Sequence, residues 1–263
     1  MTKQSELKRL FIAWECSTSY SETFPRGRSI YPLHLTLAFL GDCKLTPALA
    51  SPEFFQSALG KIAPCGLAKK LLFLPENISR VVALKIENLP PYFFEGRQII
   101  VQWLQENGFS IDKRPFYPHV SLSRNPFDKE EWIQWFKETT VICKNLHLYE
   151  SVGNLVYEPL WSIPFTPPYE EIEHTADFGF LIRGYDLKEL LSNAQIALAT
   201  KFPELIPYIT PSEPIDLNQV KLFLNKMISK VDEEIGSPIK AISYHGTLEK
   251  KTDFLEWEMI IDV

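Results

Sequence analysis

Apolar residues fall in short runs through the first 165 residues, and their spacing predicts alternating elements. Leu10 to Trp14 reads as a strand. Ala48 to Ile62 has helical spacing with a Ser51-Pro52 start, and Leu71 to Leu74 and Val81 to Ile86 read as strands. Tyr92 to Glu106 is an amphipathic helix that Asn107-Gly108 should stop. A strand around His119 and a short helix over Asp128 to Glu138 follow, then closing strands. Two αβ lobes, each giving one histidine strand, are the simplest architecture; strand order does not follow from the sequence. Further on, Asp186 to Thr200 runs as a helix with Leu187, Leu190, Leu191, Ala194 and Leu198 on one face, and Asp216 to Ile235 is largely one more helix.

Between these stretches, Glu158 to Glu171 holds Pro159, Pro164, Pro167 and Pro168. Prolines at that density forbid a continuous helix and stiffen the chain, so the natural cut lies near residue 166, giving domains 1–166 and 167–263. Charge changes across the same boundary. From residue 170 onward there are 17 acidic and 9 basic residues, against 16 and 18 before it. The mildly basic first part tolerates a nucleic acid, whereas the acidic second part repels one. At 45% hydrophobic and 23% charged the composition is that of a globular protein. No apolar run is long enough for a transmembrane helix, and Met1 to Arg9 lacks the apolar core of a secretory signal, so a cytoplasmic protein without a membrane partner is expected. Cys16, Cys43, Cys65 and Cys143 show no metal-ligand or redox-pair spacing and are expected to be buried free thiols.

Two near-repeats carry the candidate chemistry. Leu33-His34-Leu35-Thr36-Leu37 and Pro118-His119-Val120-Ser121-Leu122 share the form apolar, His, apolar, hydroxyl, apolar, and they hold two of the five histidines. In a strand His34 shares a face with Thr36, and His119 with Ser121. Opening a cyclic phosphodiester takes one proton from water and delivers another to the leaving oxygen, and imidazole is suited to both tasks near neutral pH. Two hydroxyls can hold the non-bridging oxygens meanwhile. Such a site needs no cofactor. A lone His-x-Thr is usually structural; the symmetry of the pair argues for a shared site. Arg124, just past the second motif, is either a phosphate clamp or a strand-end charge. Arg26 and Arg28 lie in a loop before the first motif, where they could meet an RNA backbone or simply be solvated. His147 has no hydroxyl two positions on and is not expected to be catalytic.

The stretches Leu33 to Gly41 and Tyr117 to Arg124 resemble the two signatures of the 2H phosphoesterase superfamily, and in particular the RNA 2′,3′-cyclic phosphodiesterases once called 2′-5′ RNA ligases. The Arg9 to Ala13 strand, Leu146 to Ser151, and Tyr157 to Leu160 extend the resemblance over about residues 8 to 165. It implies an α+β, two-lobed phosphoesterase fold in which His34 and His119 form the acid/base pair and Thr36, Ser121 and Arg124 bind the substrate phosphate. Ser121 stands where Thr is commoner and keeps the donor. The implied reaction is hydrolysis of RNA 2′,3′-cyclic phosphate ends to 2′-phosphates; reverse 2′-5′ ligation, with a 5′-hydroxyl in place of water, stays open. Which histidine is base stays open, as does a small cyclic nucleotide or oligoadenylate in place of RNA.

In the second part, Glu173 to Phe180 with Ile182 to Tyr185, and Ile239 to Gly246 with Glu256 to Val263, are similar to the opening and closing motifs of archease, which activates RtcB-type RNA ligases. The stretch between Pro214 and Pro238 is shorter than in that family. This resemblance implies a smaller α+β domain, an RtcB-type ligase as partner, and a divalent cation such as Ca²⁺, Mg²⁺ or Mn²⁺ on Asp177, Asp262 and the Val263 carboxylate, with His174 and His245 in support. The plainer reading makes Asp177 a turn cap and Asp262 a solvated charge. Both resemblances point to the same RNA ends, hence to RNA repair or tRNA processing. The alternative is an adaptor that binds RNA ends and a ligase without turning substrate over.

Overall fold

The computed structural model describes residues 7–20, 23–173, 178–236, 239–243 and 246–262. The chain divides into two compact units, one of Met1–Lys137 with Val141–Phe165 and one of Glu138–Thr140 with Thr166–Val263.

The first unit runs β1 (Lys8–Thr18), β2 (Arg28–Ser29), β3 (His34–Cys43), α1 (Pro47–Ala50), α2 (Glu53–Leu59), β4 (Cys65–Leu74), β5 (Val81–Glu87), α3 (Pro91–Glu106), β6 (His119–Arg124), α4 (Lys129–Trp135), β7 (Thr139–Gly153) and β8 (Val156–Pro164). Its strands lie in the order β1-β3-β6-β5-β4-β7-β8, and β1 also pairs β7, so six of them close into a barrel; β2 adds to β6. The two-lobed arrangement expected from the near-repeat is not separately visible in this pairing, because both histidine strands are neighbours in one sheet. One face of the strands supplies Leu10, Ile12, Trp14, Leu35, Leu37, Val82, Leu84, Val120, Leu122, Leu146 and Leu148 to a core with Phe55, Phe93, Leu104 and Trp132 of the helices. Phe11 and Ala13, on the opposite face of β1, are buried as well, against Tyr149 and Tyr157. A strand covered on both faces reads as an unbroken apolar run, which is why Leu10 to Trp14 shows no alternation.

The helix expected over Ala48–Ile62 is two helices. Pro52 lacks an N–H and pushes Ser51 into an extended conformation (φ −96°, ψ 116°), which ends α1 before α2 begins. Helix α3 stops as expected: Asn107 leaves the helical region and Gly108 takes φ +83°, the left-handed geometry a side chain disfavours. The Asp128 carboxylate caps α4 by accepting from Glu130 N (2.8 Å) and Glu131 N (3.2 Å), so the helix begins one residue later than expected, and it ends at Trp135. None of the four cysteines is in a disulfide; Cys16, Cys65 and Cys143 are buried and Cys43 is half-buried. Among the described residues no helix is long and apolar enough to cross a membrane.

The second unit contains β9 (Tyr169–Ile172), β10 (Phe178–Gly184), α5 (Leu187–Lys201), a 3-10 turn at Pro203–Tyr208, α6 (Leu217–Ile235), β11 (Ala241–Ile242), β12 (Leu248–Lys250) and β13 (Leu255–Asp262). The strands pair as β11-β13-β10-β9, with β12 also on β13. Asp186 and Asp216 cap the two helices through Glu189 N and Gln219 N, both at 2.8 Å. Helix α5 buries more than the single stripe its leucines suggest. Asn193, Gln195, Ile196, Ala197 and Ala199 are buried too, because the helix packs against β10 on one side and against α6 and the 3-10 turn on others. Arg183 is buried but fully engaged: its guanidinium donates to Glu256 (2.8 Å), Glu170 (2.8 Å) and the Pro167 carbonyl (3.1 Å).

Candidate active site

The pairing of β3 with β6 decides where the two histidine triplets meet. Leu35 lies opposite Val120 in an antiparallel ladder. The residues on either side must then face each other as His34 with Ser121 and Thr36 with His119. Leu35 and Val120 point into the core, so all four polar side chains share the other face. The histidines occupy a diagonal of this small lattice, at which neighbours of an ordinary ladder lie about 7–8 Å apart, their Cβ atoms somewhat closer. The flanking ladders agree: Glu15 lies opposite His34 and Ala13 opposite Thr36 on β1, while Lys85 lies opposite His119 and Ala83 opposite Ser121 on β5.

Both imidazoles are fixed in the same way. Nδ1 of His34 meets the Pro32 carbonyl at 2.8 Å, and Nδ1 of His119 meets the Tyr117 carbonyl at 2.8 Å. A carbonyl only accepts, so each Nδ1 carries the hydrogen and, in the neutral ring, each Nε2 keeps its lone pair. Neither Thr36 nor Ser121 has a side-chain hydrogen bond to another described residue, which leaves both hydroxyls available to a ligand.

The environments of the two rings differ. His34 is only 8% exposed and is packed by Phe11 (ring centroids 5.1 Å), Tyr157 edge-on (4.9 Å) and Tyr149 (5.9 Å). Its pKa is lowered from the usual imidazole value. Burial is the main cause, opposed by the Pro32 hydrogen bond and reinforced by the positive charges of His119 and Arg124. His119 is more open. Lys85 beside it is tied to Glu87 at 2.6 Å and lies over the Tyr117 ring.

Arg124 joins this face through a bulge. It lies five positions beyond His119, an odd offset, so simple alternation would put it on the core side. On β6, however, Ser121 pairs Ala83 and Ser123 pairs Val82, so Leu122 is an extra residue. Leu122 and Ser123 both point inward and are buried; the alternation resumes one step late, and Arg124 emerges opposite Val81 on the His119 side.

The aromatic wall around His34 is not apparent from the histidine motifs. Phe11, Ala13 and Glu15 on β1, and His147 and Tyr149 on β7, are the residues whose parity is opposite to Leu10, Ile12, Trp14, Leu146 and Leu148, and this alternation is the signal that marks them. His147 is buried and held by Ser162 Oγ on Nδ1 (2.7 Å) and the Glu15 carboxylate on Nε2 (3.3 Å). With both nitrogens occupied it has none to offer a substrate. Arg26 is exposed in the loop, whereas Arg28 lies on β2.

Of the proposed metal ligands, Asp262 is on β13, its carbonyl accepting from Lys240 N at 2.9 Å. His174, Asp177, His245 and Val263 lie outside the described residues. Among the described residues no three His, Cys, Asp or Glu side chains converge on one point.

No family model matches the chain, and no curated protein matches it. Solved structures similar to it include a phosphoesterase at 23% identity, covering 61% of this chain and 99% of that one with a TM-score of 0.42. E. coli LigT complexed with 3′-AMP is 22% identical over 61% of this chain and 99% of its own, with a TM-score of 0.43. TT0787 of Thermus thermophilus is 19% identical over 60% of this chain and 97% of its own, again at 0.43.

Proposed function

We propose that the first unit is a phosphodiesterase that opens 2′,3′-cyclic phosphate ends of RNA to 2′-phosphates without a metal. The observation that carries the reading is the Leu35–Val120 register, which gathers two imidazoles and two unbonded hydroxyls on one face. His34, held neutral by burial, suits the base. Its Nε2 takes a proton from water as the water oxygen bonds to phosphorus. His119, in its protonated form, gives its Nε2 proton to the 3′-oxygen as the bond from phosphorus to that oxygen breaks. Thr36, Ser121 and Arg124 meet the negative charge on the non-bridging oxygens, where it grows in the transition state.

The test is incubation with an oligonucleotide ending in a 2′,3′-cyclic phosphate, with and without EDTA. Equal amounts of a 2′-phosphate product are expected in both. A 3′-phosphate product, EDTA sensitivity, or binding of the RNA without turnover would each overturn the reading.

For the second unit the proposal is an archease-like module that assists an RtcB-type ligase and holds a divalent cation on Asp177 and Asp262. Its support is the pair of sequence blocks at the start and end of that unit. A cation that binds only the folded protein at a hundred times its dissociation constant stabilises it by about 2.7 kcal/mol. Saturating Mn²⁺, Mg²⁺ or Ca²⁺ is therefore expected to raise the midpoint of thermal unfolding, and Asp262→Asn to abolish most of that rise. An unchanged rise in the variant would remove Asp262 from the site.

A further inference from the structure

Strand β2 is only two residues long, yet its pairing is specific: Arg28 lies opposite Arg124 and Ser29 opposite Ser123. Paired residues of an antiparallel ladder point the same way, so Arg28 shares with Arg124 the face that carries His119 and Ser121. Gly27 makes the approach feasible, because a Cβ there would overlap the Ser123 hydroxyl.

Like charges directly across a ladder repel and destabilise it. Neither guanidinium is paired with an acid among the described residues, and both are exposed. Among the described residues the unit therefore carries a like-charge pair without an acidic partner, at the edge of a face whose other polar groups already suit a phosphate. Opposite Ser121 and Arg124 on β5 stand Ala83 and Val81, so the bulged strand advances by two ladder positions, about 7 Å. Long arginine side chains starting that far along can serve a neighbouring phosphate as well as the one between the histidines.

We infer that Arg28, set opposite Arg124 by the β2–β6 pairing, binds a second phosphate of the substrate, next to the one that reacts. This rests on the phosphodiesterase reading and narrows it to substrates carrying more than one phosphate. That second phosphate has two sources: the internucleotide diester preceding the cyclic end, or a 5′-phosphate on the terminal nucleotide itself. Arg is suited to either, since its fork grips phosphate oxygens in pairs.

The experiment compares wild type with Arg28→Ala and Arg28→Lys on three substrates. These are adenosine 2′,3′-cyclic phosphate, its 5′-phosphorylated form, and a diadenylate ending in 2′,3′-cyclic phosphate with a free 5′-hydroxyl. Removing a charge-assisted hydrogen bond that only one substrate makes changes selectivity by about ten- to a hundredfold. The ratio of kcat/KM for a two-phosphate substrate over the simple cyclic nucleotide should fall by that factor in Arg28→Ala and recover in part in Arg28→Lys. Whichever two-phosphate substrate shows the drop names the source. Equal losses on all three, or none on any, would overturn the subsite. Calorimetric binding of adenosine 2′-phosphate, adenosine 2′,5′-bisphosphate and the diadenylate 2′-phosphate keeps the inference separate from turnover. If wild type opens no cyclic phosphate, the phosphodiesterase reading fails, while a preference for either two-phosphate ligand that Arg28→Ala abolishes still upholds the subsite. Equal affinities in wild type and variant would sink it.

Discussion

Replacing His34 or His119 by alanine is expected to lower kcat on a 2′,3′-cyclic phosphate end by about 10²- to 10⁴-fold, the usual contribution of one positioned acid or base. The double variant should lose little more than the worse single one, because the two rings act in one proton relay and such effects are not additive. Stability distinguishes the two positions. His119 is partly open, and its removal should leave the unfolding midpoint near that of wild type. His34 fills a space among Phe11, Tyr149 and Tyr157, so alanine there also loosens packing. His34→Gln restores bulk without an imidazole; it should recover stability and leave turnover as low as alanine does. Wild-type rates in both single alanine variants would exclude the histidine pair as the catalytic centre.

How far the site could be read from the sequence depends on which rule each residue obeys. The histidines and hydroxyls follow strict alternation within one strand, so their shared face is legible in Leu33 to Leu37 and Pro118 to Leu122. That β3 and β6 are neighbours is a long-range pairing, and only the structure supplies it. Arg124 violates alternation, and its place on the site face depends on the extra residue at Leu122, which no local pattern marks. The Ala48–Ile62 stretch shows the opposite case: Pro52 states the break plainly, yet the apolar spacing continues across it. Helix α5 is legible in its leucines but not in its full burial, since covering a second and third side with Asn193, Ile196 and Ala199 is a tertiary matter.

Arg124→Ala tests the bulge and the electrostatics together. A donor aimed at charge that develops in the transition state contributes about 10²- to 10³-fold to kcat when it is removed alone, so a loss of that order is expected, with a smaller change in KM. A strand-end charge with no role would change neither. The pH profile supplies a second readout. A base must be neutral to act, so kcat/KM rises with pH through the pKa of His34, and the lowered pKa places that rising limb on the acid side of the usual imidazole value. Arg124 is one of the causes of the lowering, because a nearby positive charge disfavours protonation of the ring. Its removal should therefore move the limb toward higher pH, while burial of His34, the larger cause, keeps most of the displacement in place. Arg124→Lys retains the charge but not the paired donors; it should hold the limb near its wild-type position while recovering only part of the rate. A limb that stays fixed in Arg124→Ala would mean that the guanidinium does not reach the histidine face, and the bulge would then have to be explained by packing of Leu122 and Ser123 alone.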